Sequence, residues 1–384
     1  MRILLIGEYS RLHNSLKEGL IHHGHEVYII GIGGDVFKDY PVDVSIDSRL
    51  FVSGFPRFFA RAVNKLFGLN LFSLERALRF LLNFNKFKEY DVVQLIHENA
   101  LRTLPRTSIF LLKKLLKHNR KLFLLSCSVD SFNMKYAFAG KFKYSVITPL
   151  LESPSEISVK RSYLHYDSYA TKPFQKLHAY VVANCSGIIA SDMDYHIPLE
   201  QHPKYKGLIP NPVNSDAIVE LPFEIEGKVR IFHGINKRMY LQKGNRFFEE
   251  ALAIIETKYP NLVEVQTVVS VPYSTYINLY NNCHILLDQV YSFDQGFNAL
   301  EAMAKGKVVF TGAETEFLAH YKLEKNKVCI NAVPDVDALV QELEALILNH
   351  DTLKQISKNA RRFIEEHHNI KKVAKQYLTV WTEN

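Results

Sequence analysis

Residues 2–30, RILLIGEYSRLHNSLKEGLIHHGHEVYII, decide the fold class. Residues 2–6 are a short apolar strand. Leu12, Leu16, Leu20 and Ile21 then recur at helical spacing, Gly24 stops that helix, and residues 27–30 form a second apolar strand. Strand, helix and strand in so short a stretch make a βαβ unit. The same alternation returns at residues 92–96, 122–125 and 188–190, with an amphipathic stretch at 108–117 between the first two. Strands that are apolar almost throughout belong to parallel sheets covered by helices on both faces.

A break follows at residues 209–228, where Pro210, Pro212 and Pro222 interrupt any sustained periodicity, the composition of an interdomain linker. Alternation restarts with strands at 229–232, 263–269, 285–287, 308–310 and 328–330, separated by helices near 245–257, 274–281 and 299–304. Residues 339–377 add terminal helices. The expected architecture is α/β, with two Rossmann-like doubly wound domains facing a central cleft. The expected divisions are a first domain over 1–209, a linker over 210–228 and a second domain over 229–366. Ligands of such sheets bind at the carboxyl ends of the strands, so the site is expected between the domains.

Composition narrows the class. With 384 residues, 47% hydrophobic and 23% charged, the chain is too long for one small module and too apolar to be disordered. Its four cysteines, Cys127, Cys185, Cys283 and Cys329, are too far apart for a zinc site of CxxC pairs or a dense disulfide framework. They read as buried packing in a reducing compartment. The apolar start is too short for a signal peptide, and no uncharged apolar run approaches the length that spans a bilayer. The chain reads as cytoplasmic.

The net charge of +7 is concentrated between Phe51 and Tyr90, where seven cations face two acids. Phe55, Phe58, Phe59, Phe67, Phe72, Phe80, Phe84 and Phe87 interleave with them. Two readings stay open: a basic aromatic surface over 51–90 that touches an anionic membrane, at its inner face, or helices that pack their phenylalanines on the core. No base-reading motif accompanies the charge, so nucleic acid is not expected as a partner.

Several motifs fail on context. Gly31, Gly33 and Gly34 follow the second strand rather than the first, and Val36 stands where a dinucleotide fingerprint needs glycine. No phosphate loop of the GxxxxGK[ST] type and no HExxH occurs. His22, His23 and His25 sit at a helix end without further ligands. Asp192-Met193-Asp194 directly follows a strand, where Asp192 is expected to cap the next helix rather than bind metal.

Two stretches carry chemistry. Phe232-His233-Gly234 is followed by Arg238 and by Lys243-Gly244 opening a helix, and two cations beside a helix N-terminus make an anion site suited to diphosphate. Residues 296–309, GFNALEAMAKGKVV, place Glu301 in an otherwise apolar helix, where a carboxylate needs a partner such as a ribose diol. Gly7, Glu8 and Tyr9 form the first βα loop, which faces the cleft and would meet an acceptor. His13 and His97 lie near strand ends, although a lone histidine is more often structural. Asp130, in Ser126-Cys127-Ser128-Val129-Asp130, reads equally as an acceptor-positioning residue or a helix cap.

The pairing of Arg238-x4-Lys243-Gly244 with residues 296–309 resembles the nucleotide-sugar half of GT-B glycosyltransferases of the retaining "group 1", family four type. Gly7 after the first strand, Gly24-His25-Glu26-Val27 before the second and Pro210-Asn211-Pro212-Val213 at the junction are similar too. The resemblance implies a hexosyltransferase acting on a nucleotide-diphosphate-sugar donor and a glycan or lipid-linked saccharide acceptor, in polysaccharide biosynthesis. It implies that Arg238 and Lys243 hold the diphosphate, that Gly234 and the loop Gly296-Phe297-Asn298 approach the donor, and that Glu301 holds the ribose. No metal and no cofactor beyond the co-substrate are expected, because fixed cations balance the charge. The terminal helix, 367–384, would cross back to the first domain. One departure stands out: Phe293 occupies the position of a usual sugar-binding glutamate, with Asp294 beside it. A catalytically degenerate binding subunit and a nucleotide-sugar epimerase on the same scaffold are therefore the alternatives.

Overall fold

The computed structural model describes residues 1–33 and 40–383, so Gly34 and Val36 lie outside the described residues. The first sheet contains β1 (Arg2–Ile6), β2 (Glu26–Gly31), β3 (Val44–Ser45), β4 (Val92–Leu95), β5 (Lys121–Ser126), β6 (Gly187–Ala190) and β7 (Tyr205–Leu208). These lie in the order 3-2-1-4-5-6-7, each neighbouring pair parallel. The second sheet contains β8 (Val229–Ile235), β9 (Val263–Val269), β10 (Ile285–Leu287), β11 (Val308–Thr311) and β12 (Ile330–Asn331), in the order 12-11-10-8-9, again parallel. Parallel neighbours need long crossovers. Helices supply most of them.

The first domain uses α1 (Leu12–His22), α2 (Gly54–Phe67), α3 (Leu71–Leu82), α4 (Pro105–Leu116), α5 (Ser131–Phe138), α6 (Thr148–Glu152), α7 (Ile157–Tyr163), α8 (Lys172–Asn184) and α9 (Met193–Leu199). The second uses α10 (Tyr240–Lys243), α11 (Asn245–Lys258), α12 (Tyr273–Asn282), α13 (Phe297–Ala304), α14 (Thr315–Tyr321), α15 (Val336–Ile347) and α16 (His350–Phe363), followed by α17 (Ile370–Glu383). Local chemistry sets the boundaries. Gly7 ends β1 at φ +91°, and a Cβ there would stand 2.3 Å from Ile96 Cγ2, so only glycine makes this turn. Pro105 opens α4, and the side chains of Asp335 and Asn349 cap α15 and α16.

Each sheet has its own core. Ile3, Leu4, Leu5 and Ile6 of β1 are fully buried with Leu111, Leu124 and Ile188, while Phe232, Phe248, Leu286 and Phe310 centre the second core. The terminal α17 packs on α1 and buries Val373, Tyr377 and Trp381 in the first core. A third, smaller core joins Met134, Ile147, Val159, Tyr163 and Tyr166. The helices around it, α5, α6 and α7, were not foreseen, because at 8, 5 and 7 residues each is too short to show a period. The strand expected at 328–330 forms later, pairing only at Ile330 and Asn331. Cys185, Cys283 and Cys329 are buried, and all four thiols are free.

The chain crosses between the domains twice, near residues 210–216 and 364–370, and the two crossings are bonded together. Val213 pairs with Asn369 as an isolated parallel bridge, and Val213 N donates to His368 O at 2.7 Å. Arg361 pins the junction. Its guanidinium donates to the carbonyls of Ser215 (2.9 Å), Ile218 (2.8 Å) and Ala304 (2.6 Å) and to the Glu365 carboxylate (2.6 Å). Arg361→Met leaves three carbonyls without their donor and is expected to cost about 3 kcal/mol or more. Calorimetry of the variant checks this; an unchanged unfolding temperature would contradict the role.

Candidate functional site

The carboxyl ends of the second sheet open onto a cavity of about 220 Å³, to which Ser10 and Tyr40 of the first domain also contribute. Lys243 enters it from the end of α10. Gly244 then turns the chain into α11 at φ +66°, where a Cβ would stand 2.3 Å from Val290 Cγ2. Lys243 Nζ donates to Asp288 Oδ1 at 2.7 Å, and Asn298 Nδ2 approaches the same oxygen at 3.2 Å. Asp288 is buried, and its second oxygen has no hydrogen-bond partner. A cation is thus held at the cavity wall by one side of a carboxylate.

The other walls are equally fixed. Tyr276 donates its hydroxyl to Asn298 Oδ1 at 3.0 Å, and Tyr280 bonds the Asn298 carbonyl at 2.8 Å, so Asn298 is oriented from two sides. Gly234 lines the cavity where a Cβ would lie 2.4 Å from Tyr276 Cε2. His233 is fully buried, its ring bonding Asn245 Oδ1 at 2.9 Å at the start of α11, and burial lowers its pKa so that it stays neutral. Phe297 and Glu301 of α13 line the cavity with Lys243, and Val271 and Tyr273 close its more apolar end.

Five of the donor residues expected from the resemblance, Gly234, Lys243, Phe297, Asn298 and Glu301, therefore meet in one cavity. Two others do not line it. Arg238 is exposed on a short turn, with its backbone amide held by Asn236 Oδ1 at 3.1 Å, and Gly296 caps α13. Asp288 was missed. Its signal in the sequence was a carboxylate immediately after an apolar strand, at the end where open sheets bind ligands.

Phe293 and Asp294 turn away from the cavity. Phe293 is buried against Phe142 and Tyr144 of the first domain, at ring-centroid distances of 5.5 and 5.7 Å. Asp294 accepts from Met193 N at 2.9 Å, so a carboxylate of the second domain caps α9 of the first. Asp192 stands at the N-cap position, but its side chain makes no capping bond, which corrects its expected role. Asp194 accepts from Ser292 Oγ (2.6 Å) and Phe293 N (3.2 Å). The carboxylates of Asp192, Asp194 and Asp294 come within 4.8 Å of one another, the one group with metal-ligand spacing among the described residues. Burial raises all three acids, Asp194 to about 6.

On the acceptor side each of the expected residues has structural partners. Asp130 is the N-cap of α5: it accepts from Asn133 N at 2.8 Å and from Ser126 Oγ, so both oxygens are spent on structure. His13 is fully buried between Gly7 O (2.7 Å) and Gln94, and burial lowers its pKa to about 4. His97 is buried with its nitrogens near Val129 O (2.8 Å) and Asn99 N (3.1 Å). Glu8 turns toward α1, accepting from Asn14 N at 2.8 Å and Asn14 Nδ2 at 2.6 Å. Tyr9 of the same loop carries Arg102 over its ring at 4.8 Å. A lone histidine or acid near a strand end carries too little information to distinguish these cases. Glu98 went unnoticed; it is buried and takes Ser131 Oγ (2.8 Å) and His178 Nδ1 (2.6 Å).

Residues 229–379 match the model of a protein family described as glycosyl transferase-like. No curated protein sequence matches the chain. Among solved structures it is similar to a sucrose-phosphate synthase from Thermosynechococcus elongatus, at 14% identity and a TM-score of 0.63, covering 100% of this chain and 98% of that one. The fold is GT-B. HepE from Anabaena, in complex with UDP, aligns over 100% of both chains at 12% identity and a TM-score of 0.56. A UDP-GlcNAc 2-epimerase from Neisseria meningitidis, bound to UDP-GlcNAc, also shares this GT-B fold over 100% of both chains, at 12% identity and a TM-score of 0.51.

Glu8 gives the first βα loop a pH signature. Burial is the main cause that raises its pKa from 4.5 to about 7, against the opposing bonds from Asn14. Below pH 4.5 the carboxyl is protonated whether folded or not, and its ionisation costs nothing. As pH rises from 4.5 to 7 the unfolded chain ionises first, so stability falls, by about 3 kcal/mol in full above pH 7. Glu8→Gln is expected to gain on the wild type by about this amount between pH 4 and 8 in urea titrations. A difference that does not change with pH would contradict the burial.

Proposed function

We propose that this protein is a glycosyltransferase of hexosyltransferase type, moving a sugar from a nucleotide-diphosphate donor to a hydroxyl of a glycan or lipid-linked saccharide, with retention and without metal. The observation that carries the reading is the meeting of Lys243, Asn298 and Glu301 in one interdomain cavity. Retention and the acceptor class rest on the resemblance of residues 296–309 and of Arg238 to Gly244.

In this reading the bond between the sugar's anomeric carbon and the diphosphate oxygen breaks, one from that carbon to the acceptor oxygen forms, and the acceptor's hydroxyl proton passes to the departing diphosphate. Charge develops on the departing diphosphate, so a preorganised cation beside it lowers the barrier. Lys243 supplies that cation, and Asp288 aims it. Arg238 is the second cation of the same segment, exposed and without an ion pair among the described residues. Glu301 accepts from the ribose hydroxyls, while Val271 and Tyr273 flank the base. Gly234, with no Cβ, leaves the backbone open to the phosphates. Family likeness over residues 229–379 and the UDP complexes of the fold's relatives favour a uridine nucleotide as the first donor to test.

Thermal unfolding with UDP, GDP, dTDP and CMP in the presence of chelator tests the cavity. A nucleotide at a hundredfold over its Kd is expected to stabilise the chain by about 2.7 kcal/mol. Lys243→Ala and Glu301→Ala are expected to abolish the shift, and Lys243→Ala to lower turnover about tenfold to a hundredfold. Conversion of the donor sugar with no acceptor present would instead assign an epimerase. Stabilisation without any turnover would assign a binding subunit, and no stabilisation by any nucleotide would remove the site.

A further inference from the structure

Helix α2 is strongly amphipathic, yet it presents its apolar side to solvent. Of its residues only Ala60 is buried, while Phe55, Phe58 and Phe59 are 76%, 70% and 49% exposed. Leu66 and Phe67 continue the exposed apolar surface past the middle of the helix. Beside this stripe runs a row of cations at i, i+4 and i+8: Arg57, Arg61 and Lys65, all exposed and none in an ion pair among the described residues. Residues 51–74 contain no acid at all. The neighbouring α3 repeats the pattern, exposing Leu74, Leu78 and Leu82 at the same spacing while its other side buries Ala77 and Phe80 in the core.

The hairpin is nevertheless firmly attached. Glu75 of α3 accepts from Ser48 Oγ, from Arg49 N at 2.9 Å and from Arg79 Nε at 2.8 Å. These bonds, against the opposing effect of burial, hold its carboxyl near pKa 2. Arg76 donates to Arg102 O at 3.0 Å, and Arg102 lies over Tyr9 in the first βα loop. An exposed apolar face on a well-anchored support, next to the loop that faces the cleft, is not a core that failed to form.

We propose that α2 and α3 form an interfacial anchor that lies in the surface of an anionic lipid bilayer, with the aromatic and leucine stripes among the acyl chains and Arg57, Arg61 and Lys65 at the headgroups. Charge complementarity selects this occupant. A single row of cations flanking an aromatic stripe, with no acid between, matches the planar boundary between acyl chains and anionic headgroups. No helix among the described residues is long and apolar enough to cross a membrane. The anchor's use in presenting a lipid-borne acceptor to the cleft rests on the function proposed above; lipid binding itself does not.

Sedimentation of the full chain with vesicles tests this, comparing phosphatidylcholine alone with phosphatidylcholine and phosphatidylglycerol in equal parts. The chain is expected to sediment with the anionic vesicles, less so at high salt. Replacing Arg57, Arg61 and Lys65 together by Gln is expected to weaken partitioning about a hundredfold. Phe55→Ser with Phe58→Ser is expected to abolish it. All these side chains are exposed, and circular dichroism with nucleotide-induced stabilisation reports separately on the fold and the donor cavity. Failure to bind anionic vesicles, or variants that bind like the wild type, would overturn the proposal. So would a wild-type dimer in solution that the two Phe replacements convert to monomer, since a second copy would then cover the face.

Discussion

The guanidinium of Arg361 holds the junction on which the rest of the molecule depends. Two all-parallel sheets must each direct their binding loops beyond the carboxyl ends of their strands, and a shared cavity exists only if those ends face each other. The chain passes between the domains twice, and Arg361 bonds Ser215, Ile218 and Ala304 at the point where both passages meet. From there α17 returns to bury Tyr377 and Trp381 against the first sheet. The second domain is thus tied to the first at the back, leaving Ser10 and Tyr40 to close the cavity from across the cleft.

Around that cavity two electrostatic arrangements coexist. Lys243 and Asp288 place a cation where an anionic ligand would need one, and Asp288 keeps its other oxygen unpaired in a buried position. At the seam between the domains the arrangement is the opposite: Asp192, Asp194 and Asp294 share a site that burial makes costly for charge. There the carboxylates work as hydrogen-bond acceptors for Met193 N, Ser292 Oγ and Phe293 N across the junction. The Phe293 ring joins Phe142 and Tyr144 in an aromatic contact at this seam.

Much of the frame was legible because its signals are local and repeated. Apolar strands such as 2–6 and 285–287, Gly7 at a turn only glycine can make and the proline-rich junction at 210–212 all act over a few residues. Lys243 stood out as a cation beside a helix start and Glu301 as an acid in an otherwise apolar helix, and both line the one cavity. What escaped depends on residues far apart in the chain. That Asp294 caps α9 from the other domain, or that Asp130 spends both oxygens on Ser126 and Asn133, follows from tertiary approach rather than spacing. The helices between 131 and 163 escaped for a different reason: none exceeds eight residues, too few to establish a period. The stretch 51–90 left two readings open; the structure buries Phe80, Phe84 and Phe87 in the core and leaves Phe55, Phe58 and Phe59 exposed.

On the function proposed, the cavity holding Lys243, Asn298 and Glu301 receives a nucleotide diphosphate. Amide hydrogen exchange of the full chain with and without UDP, read peptide by peptide, tests it most directly. Slowed exchange at residues 234–244, 270–276 and 296–301, with α2 and α3 unchanged, is expected. Unchanged exchange at all three segments under saturating nucleotide, or protection confined to the first domain, would contradict it.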